Sequence, residues 1–155
     1  MNLRLLTAND IFKIKDYIDS SKFEDVYYNK SLLASINQDA ATIRNLIFQG
    51  IFICVGNMEN DKIKQLLILE KPKTMVKEIY SLNVPLASLD YNFIKSAFGL
   101  ISSIYDLDSI NKLKIIAIVD NEIEKIQDKL GEVFNLEINF SVDHFEYFEY
   151  GYKVL

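Results

Sequence analysis

Tryptophan is absent from this chain; histidine and cysteine occur once each, proline twice and glycine five times in 155 residues. Each scarcity excludes something. A single cysteine, Cys54, cannot close an internal disulfide, so the fold must rest on its core, as in proteins of a reducing compartment. The single histidine, His144, has Asp143 and Glu146 nearby, but a metal site needs further ligands converging from elsewhere, and none is expected. No glycine-rich phosphate loop is present and no serine sits in a nucleophile elbow, so nucleotide-hydrolase and serine-hydrolase readings fall away. Cys54 itself lies in the apolar run Ile51-Phe52-Ile53-Cys54-Val55, the setting of a buried small side chain.

Long apolar runs and basic clusters are missing too. No stretch of 18 apolar residues occurs, and Arg4 and Asp10 interrupt the N-terminal region where a secretory signal needs an apolar core. The 17 basic residues are outnumbered by 22 acidic ones, for a net charge of −5, and are spread without a block. A phosphate-binding surface needs clustered Lys and Arg, so nucleic acid is excluded as a partner, and no membrane is expected either. What is present is a chain half hydrophobic and 12% aromatic. Such a chain folds. The expectation is one cytoplasmic domain covering residues 1–155.

Strand and helix signals alternate without a linker. Residues 2–6 read as a strand, and Thr7-Ala8-Asn9-Asp10 opens a helix with a hydroxyl cap and an acid three residues on. Ile11, Ile14 and Ile18 carry that helix to about residue 20. A second helix is predicted over 30–48 from the stripe Leu33, Ile36, Ala40, Ile43 and Ile47, ended by Gly50. Strands at 51–55 and 63–70 flank a turn placed at 56–61, forming a hairpin. A strand at 75–84 ends in Pro85 and leads to a helix at 89–105, rich enough in apolar residues to be packed on several sides. A strand at 112–119, a helix at about 122–130 stopped by Gly131 as a left-handed cap, and strands at 134–140 and 144–154 complete the chain. The fold class is α+β, a single domain with a central mixed seven-stranded sheet flanked by helices, in which 75–84 and 112–119 are parallel neighbours diverging at their C-terminal ends.

This order of elements resembles the GNAT superfamily of N-acetyltransferases. Leu3-Arg4-Leu5-Leu6-Thr7-Ala8-Asn9-Asp10 is similar to the family's first strand and helix start, Val84-Pro85 to its turn after the central strand, and Ala117-Ile118-Val119-Asp120-Asn121 with Lys129-Leu130-Gly131 and Phe134 to its later strand and helix. The resemblance implies an acetyl-CoA-dependent N-acyltransferase acting on an amine of a small molecule or peptide. It also implies that the splayed strands near Val84 and Lys114 admit the pantetheine arm. In the family, a glycine-rich loop and the following helix hold the pyrophosphate of the donor. Here Leu86-Ala87-Ser88-Leu89-Asp90-Tyr91-Asn92 contains no glycine, arginine or glutamine, so phosphate contacts fall to plain backbone N–H groups and to Lys95. The implied donor-binding residues are Leu82, Val84, Leu86, Ala87, Ser88, Leu89, Asp90, Tyr91 and Asn121. Many members also carry a tyrosine on the last helix that protonates the departing thiolate; Gln127-Asp128 stand in that region here. The alternative is a GNAT-like binding or interaction module without catalysis.

Glu78 is the catalytic candidate. On an extended strand Val76, Glu78, Tyr80, Leu82 and Val84 share one face, so Glu78 is a carboxylate in an otherwise apolar row. Partial burial raises a carboxyl pKa toward neutrality, which suits it to take a proton from an incoming ammonium. The other reading is a structural carboxylate at a solvent edge or paired with a lysine. The aromatic run at 145–152 likewise permits packing beneath helices, or a row lining an acceptor cleft or a homodimer contact.

Overall fold

Thr7 stops the first strand and starts the first helix. Its hydroxyl accepts the Asn9 N–H at 3.3 Å, and the Asp10 carboxylate accepts the Thr7 N–H at 2.8 Å. This capping box supplies partners for backbone groups that the short 3-10 turn Ala8–Asp10 would leave open. A computed structural model describes residues 1–20, 26–27, 39–71, 79–85, 88, 90–104, 112–118, 128, 131–132, 134–142 and 145–152. Its elements are β1 (Leu3–Leu6), α1 (Ile11–Ser20), β2 (Val26–Tyr27), α2 (Ala40–Phe48), β3 (Phe52–Glu59), β4 (Lys62–Glu70), β5 (Ile79–Pro85), α3 (Tyr91–Ile104), β6 (Lys112–Ile118), β7 (Phe134–Val142) and β8 (Phe145–Tyr152).

The strands form a mixed sheet in the order β1-β3-β4-β5-β6-β8-β7, with β2 paired to β5 off this path. β2 is a strand absent from the sequence reading. Strand alternation in β3 and β4 splits the core in two. Phe52, Cys54, Leu66 and Ile68 cluster with Ile11, Ile14, Tyr17 and Ile18 of α1 and Ile43 of α2. The alternate residues Ile53, Val55, Leu67 and Leu69 are buried as well, and by period two they face the other side. There α3 crosses β1, β3 and β4, burying Phe93, Ile94, Ala97, Phe98 and Ile101. Both faces of these strands are covered, which is why they read as nearly continuous apolar runs.

Several expectations need correction. The hairpin turn is Asn60-Asp61, with φ of 52° and 62°, the pair of positive angles a two-residue turn requires. Gly56 to Glu59 therefore belong to β3. Gly56 lies so close to Leu6 that a Cβ would stand 3.1 Å from its Cδ1. α3 is packed on one face only, since Lys95, Ser96, Gly99, Ser102 and Ser103 are exposed and Ile104 is half-exposed. Gly131 is helical rather than left-handed. Gly50, at φ 73°, is the glycine that ends a helix: its N–H reaches the Ile47 carbonyl and the Ile51 N–H the Leu46 carbonyl, each at 3.0 Å, closing a Schellman motif. α2 begins at Ala40, where the Asp39 carboxylate accepts the Thr42 N–H; the expected start over 30–38 lies outside the described residues.

Candidate functional site

β5 is the hinge of the site. On one side it pairs antiparallel with β4, Glu70 opposite Ser81, Leu69 opposite Leu82 and Ile68 opposite Asn83. On the other it pairs parallel with β6, Ile79 opposite Lys112, Tyr80 opposite Leu113 and Ser81 opposite Lys114. There that ladder stops. β5 runs on to Pro85 and β6 to Ile118, and β6 keeps its antiparallel partner β8 along its whole length. Two parallel strands thus part after Ser81 and Lys114, leaving a wedge between their C-terminal halves. Beyond Ser81 on one side and Asn83 on the other, the end of β5 pairs, among the described residues, only with β2, Val84 opposite Tyr27 and Pro85 opposite Val26.

Ser88, three residues past β5, is held by polar groups from distant parts of the chain. Continuing the β4–β5 register would put Leu66 opposite Pro85, but the Leu66 N–H instead donates to Ser88 Oγ at 3.0 Å. The same hydroxyl lies 2.6 Å from the Tyr17 phenol of α1. Ser88 is fully buried, and its side chain ties this point of the chain to β4 and α1. Burial raises the Tyr17 pKa above the usual phenol value, and the hydrogen bond to Ser88 partly offsets that rise.

The helix that follows is capped from within. Asp90 precedes α3, and its Oδ1 accepts the Phe93 N–H at 2.9 Å, while its carbonyl accepts the Ile94 N–H at 2.9 Å. A carboxylate therefore already answers the positive end of the helix. Tyr91, the first helical residue, stacks beneath Lys95, whose Nζ lies 5.6 Å from the ring centre. The wedge suits an extended, amide-bearing arm, because strand edges there offer backbone donors and acceptors. The helix end does not suit a diphosphate, which would meet the Asp90 charge.

Of the residues singled out in the sequence, Leu82 and Val84 stand on β5 at and beyond the point of parting, and Ser88, Asp90 and Tyr91 follow in order. Glu78, Leu86, Ala87, Leu89, Asn121, Gln127 and His144 lie outside the described residues. Sequence reasoning missed Tyr17, which gives no local sign of a partner 71 residues away, and Glu70, a carboxylate 5% exposed at the end of β4. Cys54 is fully buried, and desolvation pushes its thiol up to about 12, so it is no nucleophile. Among the described residues no group of side chains could hold a metal ion, and no helix is long and apolar enough to cross a membrane. A cavity of about 390 Å³ opens between Leu6, Thr7, Ile47, Phe48 and Phe52. It lies where β3 begins, whereas the wedge lies where β5 ends; β3 and β5 run the same way, so the two occupy opposite ends of the sheet.

No protein-family model matches the chain, and no curated protein matches it. Solved structures do. An acetyltransferase of the GNAT family from Streptococcus pneumoniae is similar at 12% identity and a TM-score of 0.66, with 96% of each chain covered. The PaiA N-acetyltransferase of Thermoplasma acidophilum, in complex with coenzyme A, is similar at 11% identity and a TM-score of 0.65, covering 98% of this chain and 100% of the other. An N-acetyltransferase from Staphylococcus aureus Mu50 is similar at 16% identity and a TM-score of 0.60, covering 97% and 96%. The chain has the GNAT acetyltransferase fold.

Proposed function

We propose that this chain is an acyl-CoA-dependent N-acyltransferase that places an acetyl group on the amine of a small molecule or peptide. The observation that carries the reading is the parting of parallel β5 and β6 after Ser81 and Lys114, in a fold otherwise seen in acetyltransferases. Acetyl-CoA, as co-substrate, would supply an acyl group activated as a thioester. The backbones of Leu82 and Val84 would hold its arm, with further contacts from Leu86, Ala87, Ser88, Leu89, Asp90, Tyr91 and Asn121 through main-chain groups rather than the buried Ser88 hydroxyl. Backbone N–H groups aimed at an oxygen that gains charge favour the transition state over the ground state. An amine attacks only when neutral, and Glu78, the residue preceding β5, would take its proton on a carboxylate oxygen.

Asp90 favours a second reading, a GNAT-like binding module without catalysis, since its carboxylate sits where a donor's phosphates would be expected. Thiol release from acetyl-CoA in the presence of a panel of amines separates the two. Turnover with any amine supports the enzyme; coenzyme A binding without turnover on any supports the module. A cytoplasmic location and a homodimer belong to the same proposal, the latter tested by sedimentation.

A further inference from the structure

The last two residues of β5 have lost both neighbouring strands of the main sheet. The β4 ladder ends at Asn83 and the β6 ladder at Ser81. Their partner is β2: Tyr27 lies opposite Val84 and Val26 opposite Pro85, antiparallel. Besides β5, β2 lies against β6, which puts it inside the wedge and not on the β4 side of β5. Paired residues in an antiparallel ladder alternate between those that exchange both N–H···O bonds and those that exchange none. Pro85 has no N–H to exchange. The doubly bonded pair is therefore Tyr27 with Val84, so the Val84 N–H, a donor the acyltransferase reading assigns to the thioester arm, is already engaged by the chain itself.

We infer that Val26–Tyr27 is a resident ligand of the wedge, an internal strand that an amide-bearing arm such as pantetheine must displace in order to enter. This rests on the acyltransferase reading of the same wedge. A pantetheine arm carries two amides along an extended chain, so it presents the kind of donors and acceptors that a two-residue strand presents. The two cannot pair with Val84 together. Binding is then weakened by the fraction of molecules in which the strand is seated, and removing the strand's hold restores the lost affinity.

The test uses the whole chain and coenzyme A, with amide exchange followed residue by residue by NMR and affinity by calorimetry. In the unmodified protein, coenzyme A should speed exchange at Tyr27 while Val84 stays protected, one partner replacing the other. Tyr27→Pro removes the N–H that bonds to Val84; it should speed Val84 exchange without ligand and tighten coenzyme A binding at least tenfold. Val26→Pro is the control. In this ladder the Val26 N–H makes no bond to β5, so affinity should stay within about twofold. Binding that leaves Tyr27 protected, or an equal affinity in Tyr27→Pro, overturns the inference alone. Failure of the unmodified protein and of Tyr27→Pro alike to bind millimolar coenzyme A overturns the inference and the acyltransferase reading together. The unmodified protein supplies the exchange result even if the proline variants do not fold.

Discussion

The β3–β4 hairpin and the β5–β6 wedge belong to one sheet, yet they satisfy their backbones by different means. In the hairpin, Phe52 to Glu59 pairs with Lys62 to Glu70 along nearly its whole length, broken only by a bulge at Asn57 and Met58. Helices cover both faces. In the wedge, partners come from elsewhere: a serine hydroxyl for the Leu66 N–H, a two-residue strand for Val84, an aspartate for the Phe93 N–H. Regular pairing makes the first region the store of stability. On the proposed reading, the improvised pairing at Val84 is where an entering ligand could replace what the chain supplies.

The sharpest contrast should appear on truncating the packed helix. Phe98 is fully buried on α3, and Phe98→Ala should cost roughly 3–5 kcal/mol in urea denaturation through lost burial and the cavity left behind. Phe48, 81% exposed, should give less than about 0.5 kcal/mol on the same change. Equal costs at the two sites would contradict the assignment of stability to the helix-covered core of the hairpin.

Next in size is the catalysis proposed for Glu78. Glu78→Gln keeps the shape and removes the proton acceptor, so turnover should fall about 100-fold, equivalent to roughly 2.7 kcal/mol, with coenzyme A affinity and melting temperature unchanged. An unimpaired variant would leave Glu78 a structural carboxylate.

Ser88→Ala should then cost about 1–3 kcal/mol, since it leaves the Leu66 N–H and the Tyr17 phenol buried without their partner. Tyr17→Phe combined with it should cost less than the sum of the two changes, as expected for residues in contact. Additive losses would mean that the 2.6 Å contact contributes nothing.

Alkaline pH gives an effect on the hairpin side that is graded, spread over several pH units. The Cys54 thiol is held at about 12 when folded, against about 8.5 in an unfolded chain. The unfolded state therefore releases this proton first. The contribution is complete below about pH 8.5 and declines as pH rises toward 12, by up to about 1.4 kcal/mol per pH unit. Tyr17, also raised, acts with the same sign. Denaturation midpoints of Cys54→Ala across this range should fall less steeply than those of the unmodified protein; parallel curves would assign the alkaline loss to other groups.

Smallest is the charge at the helix end. Asp90→Asn keeps a side chain able to cap α3 and removes the negative charge, so coenzyme A should bind about two- to fivefold tighter, and more so at low salt. Weaker binding would mean that the Asp90 carboxylate helps the ligand.

The two regions also differed in how far they could be read from sequence. Thr7 with Asp10 and the stop at Gly50 are local signals, complete within a few residues, and the structure carries both. The hairpin turn was misplaced because Gly56-Asn57 and Asn60-Asp61 are both turn formers, and pairing with β1 and β4, a non-local constraint, keeps the first in the strand. In the wedge almost nothing is local. Val26–Tyr27 is too short to show alternation, and the Tyr17–Ser88 contact joins residues 71 apart. The Asp90 cap was missed, because the apolar Leu89 beside it pulled the expected helix start forward.

The most direct measurement of the central claim is the melting temperature of the full chain titrated with coenzyme A. A ligand at about 100 times its dissociation constant stabilises a fold by roughly 2.7 kcal/mol, which for a chain of this size should raise the midpoint by about 5–11 °C. An unchanged midpoint at millimolar coenzyme A would contradict the assignment of the β5–β6 wedge to an acyl-CoA arm.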